Sequence, residues 1–195
     1  MVKKLMYKQS LYFTGIVTVC IWSLLLWNNS HGGVPGHHIL HQENLPKISN
    51  WWSGLLLPLL TLFLTYRIRK RLIRTNDNRP TRLKLPKEYT YRFLFALLFG
   101  VLLSVLFTLG YSDLSSYLIY GLVPLAFFFQ IYRAECLLGF VIGMTVTFGA
   151  VLPTAVGAIF ALVAYVLYQY VRTALIFLVK KIIILIPTNK DNSKK

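Results

Sequence analysis

The sequence predicts an all-α integral membrane protein, a bundle of about six transmembrane helices with both termini on the cytoplasmic side. Hydrophobic residues make up 56% of the 195-residue chain and charged residues only 14%, less charge than a soluble domain carries. The charges gather in short blocks, and the apolar runs between them have roughly 16 to 20 residues, enough to cross about 30 Å of hydrocarbon. Helices of this kind exclude a bacterial outer membrane, which barrels occupy. We therefore expect a multi-pass protein of the inner (plasma) membrane.

Six spans fit the apolar runs best. The first run is long for the hydrophobic part of a signal peptide, and Trp27-Asn28-Asn29 is not a small-residue cleavage site. The stretch 136–170 would be about 50 Å long as one helix, too long for one crossing. Gly149 and Pro153 therefore predict a turn that divides it into two spans or into a span and a re-entrant segment. The predicted spans are about 11–27, 48–66, 91–110, 114–132, 136–151 and 153–171.

The distribution of basic residues predicts the orientation of the spans. Lys and Arg gather on the cytoplasmic side of multi-pass proteins. Six spans place the N-terminus, the second connection, the loop at Arg133 and the C-terminus on one side, and only Lys47 falls on the other. Five or seven spans would break this segregation. The remaining parts are an outer loop at 28–47, a basic cytoplasmic loop at 67–90 and an interfacial C-terminal segment at 173–187.

The outer loop contains a candidate metal site. Its stretch HGGVPGHHILHQENLP, residues 31–46, holds all four histidines of the chain and one of its six acidic residues. If 37–44 forms a helical turn, two histidines share one face at i, i+4, as two imidazole ligands of Zn²⁺ or Cu²⁺ require. A polar loop that covers the bundle and a pH-sensing site are the other interpretations. The candidate ligands are His31, His37, His38, His41 and Glu43.

The stretch ECLLGFVIGMTVTFGAVLPTAVGAIFA, residues 135–161, is a candidate for close helix packing and for a substrate path. Gly139 and Gly143 form a GxxxG pair, and Gly157 and Ala161 repeat the spacing, which favours tight packing of the fifth and sixth helices. A hydrophobic segment interrupted by Gly and Pro also marks the broken helices that line transport paths. The candidate path residues are Thr145, Thr147, Gly149, Pro153 and Thr154.

The basic loop is a candidate surface for anionic lipid headgroups. The same charges also hold this loop on the cytoplasmic side, and that topological role accounts for them without a ligand. It also explains the net charge of +15 better than nucleic acid does, because no nucleic-acid recognition motif is present. The candidate headgroup ligands are Arg67, Arg69, Lys70, Arg71 and Arg74.

Acidic residues are scarce near membrane depth. We expect Glu135 to form an exposed or local pair with Arg133, and Asp113 to lie at the outer boundary. Ion-coupled transporters and intramembrane hydrolases need ionisable groups inside the membrane, so both classes are disfavoured.

These patterns favour a small permease or transporter component that binds or moves a small, weakly polar or aromatic-compatible solute. Two alternatives remain: a non-catalytic accessory subunit of a membrane complex, and a membrane enzyme with a divalent metal in the outer loop. A homo-oligomer or a partner membrane subunit fits the small-residue packing faces. In size, span number and orientation the chain resembles the substrate-binding subunits of energy-coupling-factor vitamin transporters. Its first span, LYFTGIVTVCIWSLLLW, departs from them because it has no clear i, i+4 pair of small residues.

Overall fold

The computed structural model describes residues 2–31, 36–38, 47–75 and 87–185, and nearly all of them are helical. The helices are α1 (Val2–Ser30), α2 (Ser53–Thr75), α3 (Lys87–Thr108), α4 (Ser112–Phe128), α5 (Ala134–Phe148), α6 (Val151–Val166) and α7 (Arg172–Leu185). Between α1 and α2, strand β1 (Gly36–His38) pairs antiparallel with strand β2 (Lys47–Ser49), and a 3₁₀ turn, Asn50–Trp52, follows.

Four helical stretches of the described residues are long and apolar enough to cross a membrane: Met6–Ser30, Asn50–Arg74, Lys87–Thr108 and Val151–Ile182. Two further apolar helices are shorter, Asp113–Phe128 and Ala134–Phe148. By length and composition the described part of the chain is therefore compatible with a helical membrane protein that has four candidate spans. This is two fewer than the sequence predicts.

Helices α1 and α2 run antiparallel and form one side of the bundle. Ser10 Oγ donates a hydrogen bond to Thr65 Oγ1 over 2.7 Å near one end of the pair. Near the other end, the rings of Trp22 and Trp51 meet edge to face with centroids 6.3 Å apart. The core between these contacts joins α1 and α2 to α5 and contains Val17, Ile21, Leu25, Leu57, Val141 and Ala150.

Helices α3 and α5 pack backbone to backbone through glycines. A Cβ atom added to Gly100 would lie 2.7 Å from the carbonyl oxygen of Phe140 and 3.3 Å from Cα of Gly143. Gly139 abuts the α3 backbone in the same way. The GxxxG pair therefore permits a close helix approach, as the sequence predicts, but the partner of that approach is α3. The following helix also contacts α5, through Gly157, whose added Cβ would lie 2.7 Å from a Leu side chain of α5.

The helix break expected near Gly149 is present and is fixed against the start of α2. Gly149 ends α5 with φ +71°, and Pro153 is buried in the first turn of α6. A side chain at Gly149 would collide with the amide group of Asn50. The backbone N–H of Ala150 donates to Ser53 Oγ over 2.8 Å. We refer to this end of the bundle as the turn end.

The C-terminal part of the fold is one continuous helix. The sequence predicts a sixth span that ends near residue 171 and runs on into an interfacial segment at 173–187. In the structure a five-residue π-helical turn, Leu167–Val171, joins α6 to α7 without interrupting the helix. The continuous apolar stretch Val151–Ile182 has 32 residues, which is about 48 Å at the rise of an α-helix.

Candidate functional site

Glu135 is a buried carboxylate at the end of the bundle opposite the turn end. It lies in the first turn of α5 and is 1% exposed. Nη2 of Arg71, on α2, donates to both of its oxygens, at 2.8 Å and 2.9 Å. Nη1 of Arg92, on α3, lies 3.7 Å from Oε1. One carboxylate therefore joins three helices, and the two arginines supply the pairing that a buried charge needs.

An aromatic and an acidic side chain contact the two arginines that pair with Glu135. The Arg71 guanidinium lies 5.0 Å from the centre of the Tyr89 ring, and its Nε donates to the Tyr89 hydroxyl over 3.4 Å. The exposed Glu88 pairs with Arg92 at 3.7 Å. The expectation that Glu135 forms an exposed or local pair with Arg133 is wrong, because Glu135 is buried and its partners come from α2 and α3. Sequence spacing cannot find those partners, since they lie far along the chain.

The other basic candidates on α2 have different surroundings. Arg67 lies over a Phe ring of its own helix at 5.8 Å. The Arg69 guanidinium lies 5.0 Å from the ring of Tyr7 on α1. Lys70 and Arg74 are exposed. Among the five headgroup candidates, Arg71 forms the buried pair, and the remaining four lie around the same end of the bundle. We refer to this end as the basic end.

The residues predicted to line a substrate path lie around the turn between α5 and α6. Thr145 Oγ1 donates to the carbonyl of Val141, and Thr154 Oγ1 donates to the carbonyl of Ala150, both over 2.6 Å. These bonds run four residues back within or just before the same helix, so both hydroxyls are already used locally. The apolar pocket between α3, α4, α5 and α6 is lined by other residues. It includes none of the candidate path residues Thr145, Thr147, Gly149, Pro153 and Thr154.

An apolar pocket lies instead between α3, α4, α5 and α6. It has a volume of about 70 Å³, and its walls are almost wholly apolar. Cys136 of α5 and Ala161 of α6 both line it. Its wall includes four aromatic rings from three helices, Phe95, Phe99, Phe140 and Phe160. Sequence reasoning noted the aromatic content but missed this pocket, because its walls come from helices that only the fold brings together.

A polar and aromatic cluster lies beside the pocket at the basic end. Nε2 of Gln130, after α4, donates to the hydroxyl of Tyr168 in the π-helical turn over 3.1 Å. The Arg172 guanidinium lies 4.6 Å from the centre of the Tyr168 ring. The rings of Tyr132 and Tyr165 meet edge to face at 5.4 Å. These contacts attach the π-helical turn to the connection between α4 and α5, whose Ile131 lines the pocket.

The candidate metal ligands do not form a cluster in the described residues. The ring of His31 stacks on Trp27 with centroids 4.0 Å apart, and Nδ1 lies 3.0 Å from the Trp27 carbonyl oxygen. His37 and His38 belong to β1, so the helical turn expected to begin at His37 is replaced by extended backbone. No group of three His, Cys, Asp or Glu able to hold a metal occurs in the part of the chain that the structure describes. Two candidates fall outside that part, His41 and Glu43.

Comparison of the chain with protein-family models, with curated proteins and with solved structures finds no match. The pocket and the arrangement of the helices are therefore the basis for a function.

Proposed function

We propose that this protein is the small-molecule-binding component of a membrane permease and that its solute is small and apolar or aromatic. The observation that supports this function is the pocket between α3, α4, α5 and α6. Ligand sites are concave and largely apolar, and aromatic walls favour aromatic or aliphatic ligands. The volume of about 70 Å³ is about half of the roughly 150 Å³ that holds benzene in an engineered apolar cavity, so the pocket has room for a few non-hydrogen atoms. The pocket replaces the α5–α6 turn as the proposed solute site.

We also propose that the chain crosses the inner (plasma) membrane six times with both termini in the cytoplasm. Along α2, Ser53 at the turn end and Arg71 at the basic end are separated by about 27 Å, and along α5, Glu135 and Ala150 by about 23 Å. Both lengths approach the roughly 30 Å of bilayer hydrocarbon. The positive-inside rule then directs the basic end to the cytoplasm.

The two short helices are compatible with this arrangement. α4 has 17 residues and α5 has 15, which correspond to about 26 Å and 23 Å. A helix shorter than the hydrocarbon thickness is accommodated by local thinning of the bilayer, at a cost of fractions of a kcal/mol per Å. Both helices begin and end beside longer helices, so the protein itself covers part of the mismatch.

A pair of alanine substitutions on α6 tests the solute site. Ala161 faces the pocket, whereas Ala158, one turn earlier, is exposed on the outside of the same helix. Ala161→Leu fills the pocket and Ala158→Leu adds the same volume on the surface. The measurement is the thermal unfolding midpoint in lipid nanodiscs with a panel of small probes such as xenon, short alcohols and, as the largest, benzene. A ligand that binds only the folded protein raises that midpoint.

The expected result is at least one probe that stabilises the wild-type protein and Ala158→Leu but not Ala161→Leu. If no probe of the panel shifts the midpoint, or if the shift survives in Ala161→Leu, the pocket is not a solute site and the permease proposal loses its basis. The metal-enzyme alternative gains no support from the described residues, since the extended backbone at His37 removes the helical spacing that motivated it.

A further inference from the structure

Helix α7 continues past the basic end of the bundle. Arg172, its first residue, lies over Tyr168, whose hydroxyl accepts a hydrogen bond from Gln130 at the junction of α4 and α5. Arg172 is therefore level with the start of α5. The 14 residues of α7 extend about 20 Å beyond that level.

The α7 surface is apolar and exposed. Every residue from 173 to 182 is exposed, including Phe177 at 67% and Ile182 at 57%. A contiguous apolar surface of this kind indicates contact with a membrane or with another protein. Something must therefore cover α7.

A single straight crossing does not provide that cover. The stretch Val151–Ile182 is about 48 Å long, and fitting it into about 30 Å of hydrocarbon requires a tilt of about 50°, outside the usual range of 0–40°. The π-helical turn Leu167–Val171 lies where the bundle ends. Such turns are sites at which helices change direction. The fold thus has a π-helical turn, a place where a helix can bend, at the level where a surface segment would begin.

The charges of α7 indicate which surface it meets. Its charged residues are Arg172, Lys180 and Lys181, and it contains no acidic residue. Apolar residues lie on every side of the helix, Phe177 among them, and those at i, i+3, i+4 and i+7 form one continuous stripe of Leu175, Leu178, Val179 and Ile182. Apolar stripes flanked by lysines bind at the headgroup level of anionic leaflets, where each lysine adds attraction and its stem lies along apolar surface.

We infer that α7 is a membrane-surface anchor that bends at Leu167–Val171 and lies on an anionic leaflet. The stripe of Leu175, Leu178, Val179 and Ile182 enters the acyl boundary. Lys180 and Lys181 meet the phosphates. The positive-inside rule makes this leaflet the cytoplasmic one, whose lipids carry the negative charge. This anchor does not depend on the proposed solute pocket.

Two engineered cysteines test the anchor in the full-length chain. In a Cys20→Ser, Cys136→Ser background, Leu178→Cys lies in the stripe, and Thr173→Cys lies on the side that carries Lys180. The protein is placed in nanodiscs of phosphatidylcholine alone or of equal parts phosphatidylcholine and phosphatidylserine. The measurement is the rate of labelling by a membrane-impermeant maleimide, with circular dichroism to confirm that each variant is folded.

In phosphatidylserine discs we expect Leu178→Cys to be labelled about tenfold more slowly than Thr173→Cys. Adding Lys180→Gln and Lys181→Gln should reduce that protection about tenfold, as should phosphatidylcholine alone. Equal labelling of the two cysteines in phosphatidylserine discs overturns the anchor. The anchor is also overturned if the protection of Leu178→Cys from labelling is the same in both lipids and requires two copies of the protein per disc. The same holds if that protection requires a stoichiometric co-purifying protein. These last outcomes would indicate a homo-oligomer or an accessory subunit.

Discussion

Arg71 and Glu135 are 64 positions apart in the sequence, and a single guanidinium nitrogen of Arg71 donates to both oxygens of the Glu135 carboxylate. The pair joins α2 to α5 at the basic end, and Arg92 extends it to α3. At the other end of the same two helices, Ser53 accepts a hydrogen bond from Ala150 N–H. A polar contact at each end thus determines how α2 and α5 align along their length.

The first prediction concerns the buried carboxylate. Glu135→Ala leaves Arg71 and Arg92, whose side chains are 34% and 30% exposed, close together without their shared counter-charge, so we expect a loss of about 2–3 kcal/mol of unfolding free energy, less than the roughly 3–5 kcal/mol of a fully buried pair. Glu88→Ala is the matched control, because Glu88 is a neighbouring carboxylate whose side chain is 75% exposed. It should cost less than about 1 kcal/mol. Unfolding in detergent measures both, and equal losses would show that the buried pair does not stabilise the bundle.

The second prediction concerns the glycine contact of α3 and α5. Gly143→Ala places a methyl group against the α3 backbone, which cannot move aside as a flexible side chain can. We expect a loss of about 1–3 kcal/mol. Gly121→Ala on α4 is the control, because an added Cβ there has no atom within 4 Å. It should be neutral or stabilising by up to about 1 kcal/mol. A neutral Gly143→Ala variant would contradict the close approach.

The third prediction concerns the turn end. Ser53→Ala removes the acceptor of the Ala150 N–H, which lies in a buried position. An unsatisfied buried donor costs about 1–3 kcal/mol. Ser30→Ala removes an exposed hydroxyl that bonds the carbonyl of Leu26, and its effect should stay within about 0.5 kcal/mol. Urea or thermal unfolding of the two variants gives the comparison. Similar stabilities would show that the turn is held by packing and not by this hydrogen bond.

The fourth prediction concerns the thiol at the pocket. In a Cys20→Ser background, Cys136 is the remaining cysteine. A small apolar thiol reagent should reach it through the pocket, so that Ala161→Leu slows the reaction severalfold while Ala158→Leu does not. Mass spectrometry after timed exposure measures the extent of labelling. Identical rates in the two variants would mean that the reagent arrives by another route, and the pocket would not be an open site.

Several features of the site depend on contacts between helices, and a local sequence pattern does not predict which helices meet. The GxxxG pair predicts a close approach because small residues expose the helix backbone. The pattern does not say which helix approaches, and in the fold it is α3, through Gly100. The residues near Gly149 predicted part of a substrate path, and this stays a prediction; what the fold adds is that the hydroxyls of Thr145 and Thr154 donate to the carbonyl four residues earlier. The expected i, i+4 pairing of His37 and His41 required a helical turn, and a strand pairing with Lys47–Ser49 takes its place at His37.

By itself the sequence determined the helical content, the presence of helices long and apolar enough to cross a membrane, and the break at Gly149, because apolar run length and turn residues act locally along the chain. It did not determine which helices touch. The tertiary structure alone paired Glu135 with Arg71, since a scarce acidic residue among many basic ones has several possible partners and only packing selects one. It also assembled the phenylalanine-lined pocket, because a cavity is a property of the space between helices and not of any one of them.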